Sequence, residues 1–469
     1  MASPSHIGLA RAEAPLAAKV QRLIASAGLN RAAVGVSVIE VHSGRILCGI
    51  GETRPMTPAS NLKLITTGAA LVLLGEDFQF TTSVYAEGPV DAQGILNGNL
   101  VVMAGGDPCI GGRGRGGKAA VFDAWAARIA RTVSAVRGDL VIDGTVFDRQ
   151  TIHPSWPKDQ LGRWYCAPVS AFALRQNCVD VQVRPGARPG ETPHVAFDPP
   201  TRYFKVDNRC TTVASGRARA YVSRLPASDT IVVTGKLTPQ SAGAGSPIAV
   251  KHPALYAATV LRERLARAGV RISGRLVRAE RRSDTRRMTR LAATSHPLLD
   301  AVRAANKRSH NFYAEMILKT LGRSVSVPAS FADGVRAIEK LLRSLGIKPG
   351  TFTIEDGSGL SRKNAVSALQ FTCFLRYMAK AKSAKAFIGS LPASGVDGTL
   401  RGRMARPPYK GKVRAKTGHV RGVSALSGYV DTGGKLLAFS ILVNGKGLRS
   451  HAADGLQDAI CRLLVDSAP

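Results

Sequence analysis

A serine and a lysine three positions apart, in the run Ser60-Asn61-Leu62-Lys63, are residues whose types and spacing could do chemistry. On a helix such residues share one face, so the amine can approach the hydroxyl. A serine attacks a carbonyl at neutral pH when an adjacent base takes its proton, and Lys63 can be that base if burial or nearby positive charge lowers its pKa. Ser60 is also predicted in the first helical turn, where free N–H groups favour developing negative charge. Taken alone, the pair is equally typical of a solvated helix start.

Two further short motifs follow along the chain. Ser309-His310-Asn311 falls at a junction between two predicted helices, where short polar side chains can point into a cleft. Lys416-Thr417-Gly418 falls at the end of a predicted strand, and its glycine permits close approach of a ligand backbone. Taken singly, the first is equally an N-cap and the second a strand-terminal turn. With the serine and lysine, in this order and in these settings, they indicate a serine acyl-transfer site.

Hydrophobic periodicity predicts the elements that must hold these residues. Thr57 and Pro58 suit the N-cap and first position of a helix that carries Ser60 and ends near Leu74. Before it we predict a helix at 14–27 and two strands at 34–41 and 46–50, which a tight turn at 42–45 joins. After residue 296 we predict helices at 297–305, 312–321, 333–345 and 365–381, strands at 413–416, 426–430 and 436–443, and a last helix at 450–464. This pattern favours one antiparallel sheet built from both termini and flanked by helices, an α+β fold.

Residues 82–292 differ in character, because short β-type runs alternate there with glycine and proline loops. We predict a large, mainly β insertion over this range, with a flexible loop at 111–117. The segments 1–81 and 293–469 are predicted to form one discontinuous catalytic domain, because the three motifs must converge within hydrogen-bond reach.

The formal net charge of +33 concerns partners rather than the fold. Nucleic acid, an anionic lipid surface and an anionic cell-wall polymer would each suit it. The basic residues are spread along the chain, and the densest run, 262–290, lacks the interleaved aromatic residues of a single-strand binder. No dedicated nucleic-acid site is therefore expected. No stretch approaches the ~18 consecutive apolar residues of a membrane span, so none is predicted.

Cysteine and histidine usage argues against a metal or other cofactor. The seven cysteines include no C-x-x-C pair, and the nine histidines show no H-x-x-x-H spacing. Because the number of cysteines is odd, at least one thiol lacks an intramolecular disulfide partner. Pairing among the other cysteines stays open. Near the start, Ala10-Arg11-Ala12 is similar to the end of a signal peptide with cleavage before Glu13, or is ordinary alanine-rich sequence. We expect an extracytoplasmic protein, with its signal peptide incomplete or missing from this chain.

With these motifs in place, the sequence resembles the class C low-molecular-mass penicillin-binding proteins of the penicillin-binding protein 4 type, D-alanyl-D-alanine carboxypeptidases of peptidase family S13. The resemblance extends over nearly the whole chain, including the long gap between Lys63 and Ser309. Further matching segments are 105–108, 144–148, 167–168 with 170–171, 306–311, 356–362 and 395–400. Departures are His310, where family members more often have Asp, and the run 176–178. Neither departure removes a catalytic side chain.

The resemblance implies a penicillin-binding/β-lactamase-like transpeptidase domain and an acyl-enzyme mechanism. Ser60 would attack the carbonyl of the penultimate D-Ala of a peptidoglycan stem peptide while Lys63 takes its proton. Ser309 would relay a proton to the leaving amine. β-Lactam antibiotics would act as covalent inhibitors.

The same resemblance implies the substrate-binding residues. Asn311 would orient Lys63 and bind the substrate amide. Lys416 would supply positive charge near the terminal carboxylate, and Thr417, followed by Gly418, would donate a hydrogen bond to it. The N–H groups of Ser60 and His419 would form the oxyanion hole.

Two more residues are implied by their place in matching segments. Asp159 matches a carboxylate that faces the amine of a diamino acid in the peptide stem, or is a solvated loop charge. Arg362 would face that residue's carboxylate, or is a surface arginine.

Other functions remain open at this point. A β-lactamase or esterase could use the same scaffold, although the large insertion argues against a compact β-lactamase. A non-catalytic wall-binding protein would explain the charge, but intact Ser60 and Lys63 argue against it. The balance of carboxypeptidase and endopeptidase activity, the third stem residue and the oligomeric state are not fixed by these patterns.

Overall fold

A computed structural model of the chain describes residues 14–29, 32–112 and 119–467. The signal-peptide-like segment Ala10–Ala12 and residues 113–117 of the predicted flexible loop lie outside the described residues. None of the helices in the described ranges combines the length and hydropathy that crossing a membrane requires.

The α-helices of the described chain are α1 (Ala14–Ser26), α2 (Leu62–Leu73), α3 (Ala120–Ile129), α4 (Pro253–Arg267), α5 (Leu298–Lys307), α6 (Asn311–Gly322), α7 (Phe331–Ser344), α8 (Ala368–Lys380), α9 (Ala384–Ser390) and α10 (Ser450–Asp466).

The strands of the described chain are β1 (Ala33–Glu40), β2 (Ile46–Ile50), β3 (Gln79–Glu87), β4 (Ile95–Leu96), β5 (Asn99–Met103), β6 (Ala135–Val136), β7 (Leu140–Asp143), β8 (Cys178–Arg184), β9 (His194–Asp198), β10 (Lys205–Thr212), β11 (Arg219–Arg224), β12 (Thr230–Leu237), β13 (Ala244–Ala249), β14 (Arg271–Ile272), β15 (Leu276–Arg278), β16 (Thr289–Pro297), β17 (Val413–Val420), β18 (Val423–Asp431) and β19 (Leu436–Asn444).

Two compact units make up the chain, and the first contains 1–78 and 297–469. Its sheet has the strand order β17-β18-β19-β1-β2, with every neighbouring pair antiparallel. The sheet is therefore built from both ends of the chain. β18 and β19 are buried along nearly their whole length, as expected for central strands covered on both faces.

One face of this sheet packs into an apolar core of the first unit. Val36 and Val38 of β1 pack with Phe439 and Ile441 of β19, and α10 contributes Ile460 to the same cluster. The alternating inward residues of each strand meet the apolar stripe of the helix, which is the arrangement that binary patterning predicts.

The opposite face carries a row of polar residues. Lys416, Ser427, Ser440 and Ser37 are register partners on β17, β18, β19 and β1, and all four are fully buried. The Ser427 and Ser440 hydroxyls lie 2.8 Å apart, and Ser37 bonds with Thr372 of α8 at 2.8 Å. Buried hydroxyls thus satisfy one another along the row that ends at Lys416.

In its described residues, the second unit, 79–296, contains four sheets and the helices α3 and α4. Its largest sheet has the order β15-β7-β5-β3-β16, in which β5, β7 and β15 run parallel. Three-stranded sheets form from β10-β12-β11, from β13-β8-β9 and from β14-β6-β4. Helices and sheets occur in both units, in agreement with the predicted α+β class.

Two local predictions in the first unit are wrong. The helix that follows Ser60 does not begin at Thr57 and Pro58: a single 3-10 turn, Ala59–Asn61, precedes α2, and the Thr57 N–H bonds to Asn444 Oδ1 at 2.9 Å instead. The Lys416 motif does not end its strand either, because β17 continues through it to Val420.

Candidate active site

The strained turn Ala59–Asn61 presents Ser60, whose side chain is partly exposed. Ala59 has φ 46°, a left-handed conformation that a non-glycine residue adopts only when its surroundings impose it. Gly359 and Gly418 supply those surroundings. A Cβ at Gly359 would lie 1.8 Å from the Ala59 carbonyl oxygen, and one at Gly418 would lie 3.0 Å from the Ser60 nitrogen. The backbone therefore approaches the serine so closely that only glycine fits at Gly359.

Lys63 is fully buried one turn after Ser60. Its ammonium nitrogen donates to Ser60 Oγ at 2.8 Å, to Asn311 Oδ1 at 2.7 Å and to the Ser358 carbonyl oxygen at 2.7 Å. Burial lowers its pKa from 10.5 to about 7, against the opposing charges of Asp356 and Glu315. A substantial fraction of Lys63 is therefore uncharged at neutral pH, which is the state that can accept a proton.

Lys416 and Ser309 form a second pair beside the first. Lys416 Nζ donates to Ser309 Oγ at 2.8 Å and to the Thr417 carbonyl oxygen at 2.6 Å. Lys416 is fully buried, and burial first and Lys63 second hold its pKa well below the usual value. Thr417 donates through its hydroxyl to Thr399 at 2.9 Å. Two lysines of lowered pKa thus each contact a serine hydroxyl.

Two buried carboxylates near Lys63 were not singled out from the sequence. Glu315 of α6 accepts the N–H groups of Gly357 and Ser358 at 3.0 and 2.8 Å. Asp356 accepts the N–H of Gly359 at 2.9 Å. Both side chains are fully buried, and burial together with the Asp356 charge raises the pKa of Glu315. They fix the loop whose Ser358 carbonyl contacts Lys63.

Each carboxylate carried a signal in the sequence. Glu315 stands one helical turn after Asn311 in an otherwise mainly apolar helix, the spacing that places both residues on one face. Asp356 opens the Gly-rich segment 356–362, which matches the resembled family.

His419 follows the lysine motif on β17, and its ring is partly exposed. Its Nε2 lies 2.9 Å from Asp454 Oδ1 of α10, and Ser424 Oγ donates to the same carboxylate oxygen at 2.9 Å. The His419 side chain thus links the end of β17 to α10. Its backbone N–H remains the group of interest for an oxyanion hole.

Arg362 and Asp159, the two remaining predicted site residues, lie in different units of the chain. Arg362 is exposed in the first unit and donates from Nη1 to the Arg421 carbonyl oxygen at 2.8 Å, in the turn between β17 and β18. Asp159 is exposed in the 3-10 turn Lys158–Gln160 of the second unit. The structure therefore forms two hydrogen-bonded groups, Ser60–Lys63–Asn311 and Ser309–Lys416, which lie close enough for the Lys63 charge to lower the pKa of Lys416. Asp159 belongs to neither group.

Across the described residues there is no group of three or more His, Cys, Asp or Glu side chains that could hold a metal ion. All seven cysteines are free thiols. The side chains that the structure brings together around Ser60 are serine hydroxyls, lysine amines and the Asn311 amide.

Comparison with known proteins identifies the family that the sequence motifs resemble, and the match includes every residue of this site. The family model described as "D-Ala-D-Ala carboxypeptidase 3 (S13) family" matches residues 16–466. A D-alanyl-D-alanine carboxypeptidase of Actinomadura sp. (strain R39) is 34% identical over 96% of this chain and 84% of its own. The crystal structure of penicillin binding protein 4 (dacB) from Haemophilus influenzae superposes with a TM-score of 0.82 and 27% identity, covering 95% of this chain and 99% of that one. A second structure of that protein, complexed with a β-lactam, gives a TM-score of 0.75 and 26% identity, covering 96% of this chain and 99% of that one.

Proposed function

This chain belongs to the D-Ala-D-Ala carboxypeptidase 3 (S13) family and is a serine-type, penicillin-binding D-Ala-D-Ala carboxypeptidase, and we propose that Ser60 is the residue it acylates. In this mechanism Ser60 Oγ bonds to the carbonyl carbon of the penultimate D-Ala while its proton passes to the Lys63 amine. The C–N bond then breaks, and the leaving amine of the terminal D-Ala takes a proton. Water later attacks the ester and releases the shortened peptide.

The observation that carries this assignment is the contact of Lys63 Nζ with Ser60 Oγ at 2.8 Å in a fully buried setting. Nucleophile and base lie within hydrogen-bond reach, and the pKa of the base is lowered to about 7, close to a neutral working pH. The Asn311 amide oxygen holds the amine from the other side.

Ser309 is proposed as the relay to the leaving amine. Its hydroxyl accepts from Lys416 at 2.8 Å, so its own proton is free to point elsewhere. An amine leaves only when protonated, and a hydroxyl held between a lysine and the substrate can deliver that proton.

Lys416 and Thr417 are proposed to bind the terminal carboxylate of the substrate. A buried lysine whose pKa is lowered by burial gains a favourable partner when a carboxylate arrives. Gly418 leaves room for the peptide backbone beside β17. The N–H groups of Ser60 and His419 would receive the oxyanion, and losing one such donor typically costs about 2.7–4 kcal/mol of transition-state stabilisation.

The proposed substrate is the stem peptide of peptidoglycan, reached by an extracytoplasmic enzyme. Stem peptides are the D-Ala-D-Ala compounds of the bacterial wall, and the high positive charge suits an anionic envelope. Asp159 and Arg362, both exposed, are proposed to contact the third stem residue, with the carboxylate facing an amine. Cleavage of a cross-link is the same chemistry, since the bond broken again follows a D-Ala carbonyl.

The test is release of D-Ala from a defined muropeptide monomer that ends in D-Ala-D-Ala, beside cleavage of a D-Ala cross-linked dimer. We expect wild-type chain to release D-Ala and Ser60→Ala to release none. Asp159→Asn should raise KM for a stem with a diamino acid and leave KM unchanged for a short acylated D-Ala-D-Ala peptide. Undiminished D-Ala release by Ser60→Ala contradicts the assignment, and hydrolysis of β-lactams faster than of peptides contradicts the peptidase role.

A further inference from the structure

A cavity of 340 Å³ lies wholly inside the second unit and is lined only by residues of that unit. Its volume falls at the lower end of the ~300–1,000 Å³ range of small-molecule sites. The floor is apolar and buried, with Ile142, Ala171, Phe172 and Ala258 among the lining residues. No residue of the mechanism described above lines it.

Cationic side chains surround this floor. Arg149, Arg278 and Lys251 line the cavity beside the imidazole ring of His252, and Asp148 is the one carboxylate among the lining residues. Lys251 Nζ already donates to the Ala227 carbonyl oxygen. Among the described residues, the ion pair of the Arg149 side chain is a long, exposed contact of 3.9 Å with Glu280. Positive charge therefore exceeds negative charge at the cavity wall.

Arg278 is the cation with the least compensation. Its exposed side chain makes no hydrogen bond or ion pair with any residue in the described part of the chain, although its backbone pairs with β7. Its pKa is lowered first by burial and then by the neighbouring Arg149 charge, against Asp148. Two guanidinium groups that repel each other beside one cavity are the arrangement that an oxyanion would stabilise, because each can donate two parallel hydrogen bonds.

Backbone groups around the cavity also favour a negatively charged ligand. The cavity is lined by Ile142 of β7, by Gly144 just after that strand and by all three residues of β15, which runs parallel to β7. Ala254 and Leu255, in the first turn of the fifteen-residue helix α4, also line it. N–H groups in a first helical turn lack intrahelical acceptors and point towards negative charge.

From the cavity, its apolar floor and its paired arginines, we propose that the second unit binds an oxyanion carried on a small, partly apolar body. A carboxylate and a phosphate share the required chemistry. The first would come from a peptide end, such as the one this enzyme creates, and the second from a phosphate-bearing wall polymer. The site is distinct from the Ser60 group and would hold a wall component that is not being cleaved.

The experiment uses the full chain with its catalytic site acylated by benzylpenicillin, so that only other sites can bind. Calorimetric titrations at constant ionic strength use two probes, N-acetyl-D-alanine and glycerol 3-phosphate. We expect saturable binding of one probe to one site. Arg278→Gln and Arg149→Gln should each weaken it about tenfold, the effect of losing roughly 1.4 kcal/mol. Whichever probe binds more tightly identifies the source of the oxyanion.

Arg281→Gln is the matched control, since Arg281 is exposed three residues after Arg278 and does not line the cavity. It should leave binding unchanged. All three variants should retain D-Ala release from a small peptide, which shows that they fold. Absence of saturable binding of both probes below about 10 mM overturns the proposal. An equal loss in Arg281→Gln overturns it as well, because binding would then follow net charge alone.

Discussion

Lys63 is the residue whose protonation state controls attack by Ser60. Its pKa is lowered to about 7, with burial as the largest cause, and only the uncharged amine can take the serine proton. The second-order rate of acylation by benzylpenicillin should therefore fall as pH drops below about 7, approaching tenfold per pH unit, and level off above it. Stopped-flow rates across a pH series measure this. A rate that stays constant from about pH 5.5 to 8.5 would contradict the role of Lys63.

Glu315 should act on the reaction only through the residues it positions. Glu315→Gln leaves one acceptor oxygen for two N–H groups, so the Ser358 carbonyl should shift from Lys63. Acylation should slow by about tenfold, within the ~1–3 kcal/mol typical of an unsatisfied buried group. When ionised, Glu315 raises the pKa of Lys63. Removing that charge should move the pH midpoint downwards to the extent that Glu315, whose own pKa is raised by burial, is ionised there.

The pH midpoint separates positioning from a general loss of stability. Glu339→Gln, a change on the more exposed carboxylate of α7, is the control and should alter neither the rate nor the midpoint. If Glu315→Gln slows acylation at an unchanged midpoint, its charge does not reach Lys63.

Sequence patterns predict the roles of some of these residues but not of others. Ser60 and Lys63 are predictable because a spacing of three residues brings two side chains to one side of a helical turn, here across the junction of the 3-10 turn with α2. The contact of Lys63 with Asn311, 248 positions away, is predictable only because the chemistry needs both. Glu315 and Asp356 could not be assigned a role, since a lone carboxylate in a sequence does not reveal that its surroundings are fully buried.

At the scale of elements, β17 holds the nucleophile in place as much as the helix does. Gly418→Ala would bring a Cβ within 2.8 Å of the Pro58 carbonyl oxygen and 3.0 Å of the Ser60 nitrogen. We expect acylation to slow by at least about tenfold, because small displacements of a nucleophile cost large rate factors. Gly434→Ala, in the turn between β18 and β19, meets nothing within 4 Å and should behave as wild type. Equal acylation rates in the two variants would show that the close approach of β17 is dispensable.

The elements that the sequence predicts well carry their own signals. Ser330 and Asp333 form a capping box at the start of α7, and the predicted helix at 333–345 differs from it by two residues at most at either end. The predicted start of the helix after Ser60 was wrong because the close contacts of Gly359 and Gly418, rather than Thr57 and Pro58, fix the backbone there. α4 has proline at its first position and buried Tyr256 and Val260 one turn apart, a helical pattern that its arginine-rich sequence obscured.

Across the whole molecule, the excess of positive charge should serve attachment more than chemistry. Exposed charges more than about 10 Å apart are screened at 0.1 M salt, whereas Lys416 is fully buried and acts at contact distance. Binding to sedimented cell walls should weaken steeply as salt rises, while D-Ala release from a small peptide changes by less than about twofold. Parallel salt dependence of the two would refute this separation, and tight salt-sensitive binding to DNA would favour a nucleic-acid partner.

The topology of the second unit is what the sequence could least predict. Several of its strands are short, with two residues in β4, β6 and β14 and three in β15. The longer β10 pairs in parallel with β12 although β11 lies between them in the chain. Short strands carry little information on register or partner, because only a long buried face specifies both. The α+β fold of penicillin-binding type is confirmed, whereas the order of strands needed the structure.

The central claim is that Ser60 is the residue acylated, and one measurement addresses it directly. Wild-type chain and Ser60→Ala are incubated with benzylpenicillin, and intact mass and peptide mapping locate any adduct. Only a partly exposed hydroxyl is lost in the variant, so both proteins should unfold at similar temperatures. We predict one adduct per wild-type chain, on the peptide that contains Ser60, and none on the variant. A stoichiometric adduct on folded Ser60→Ala, or on a different wild-type residue, would contradict the account.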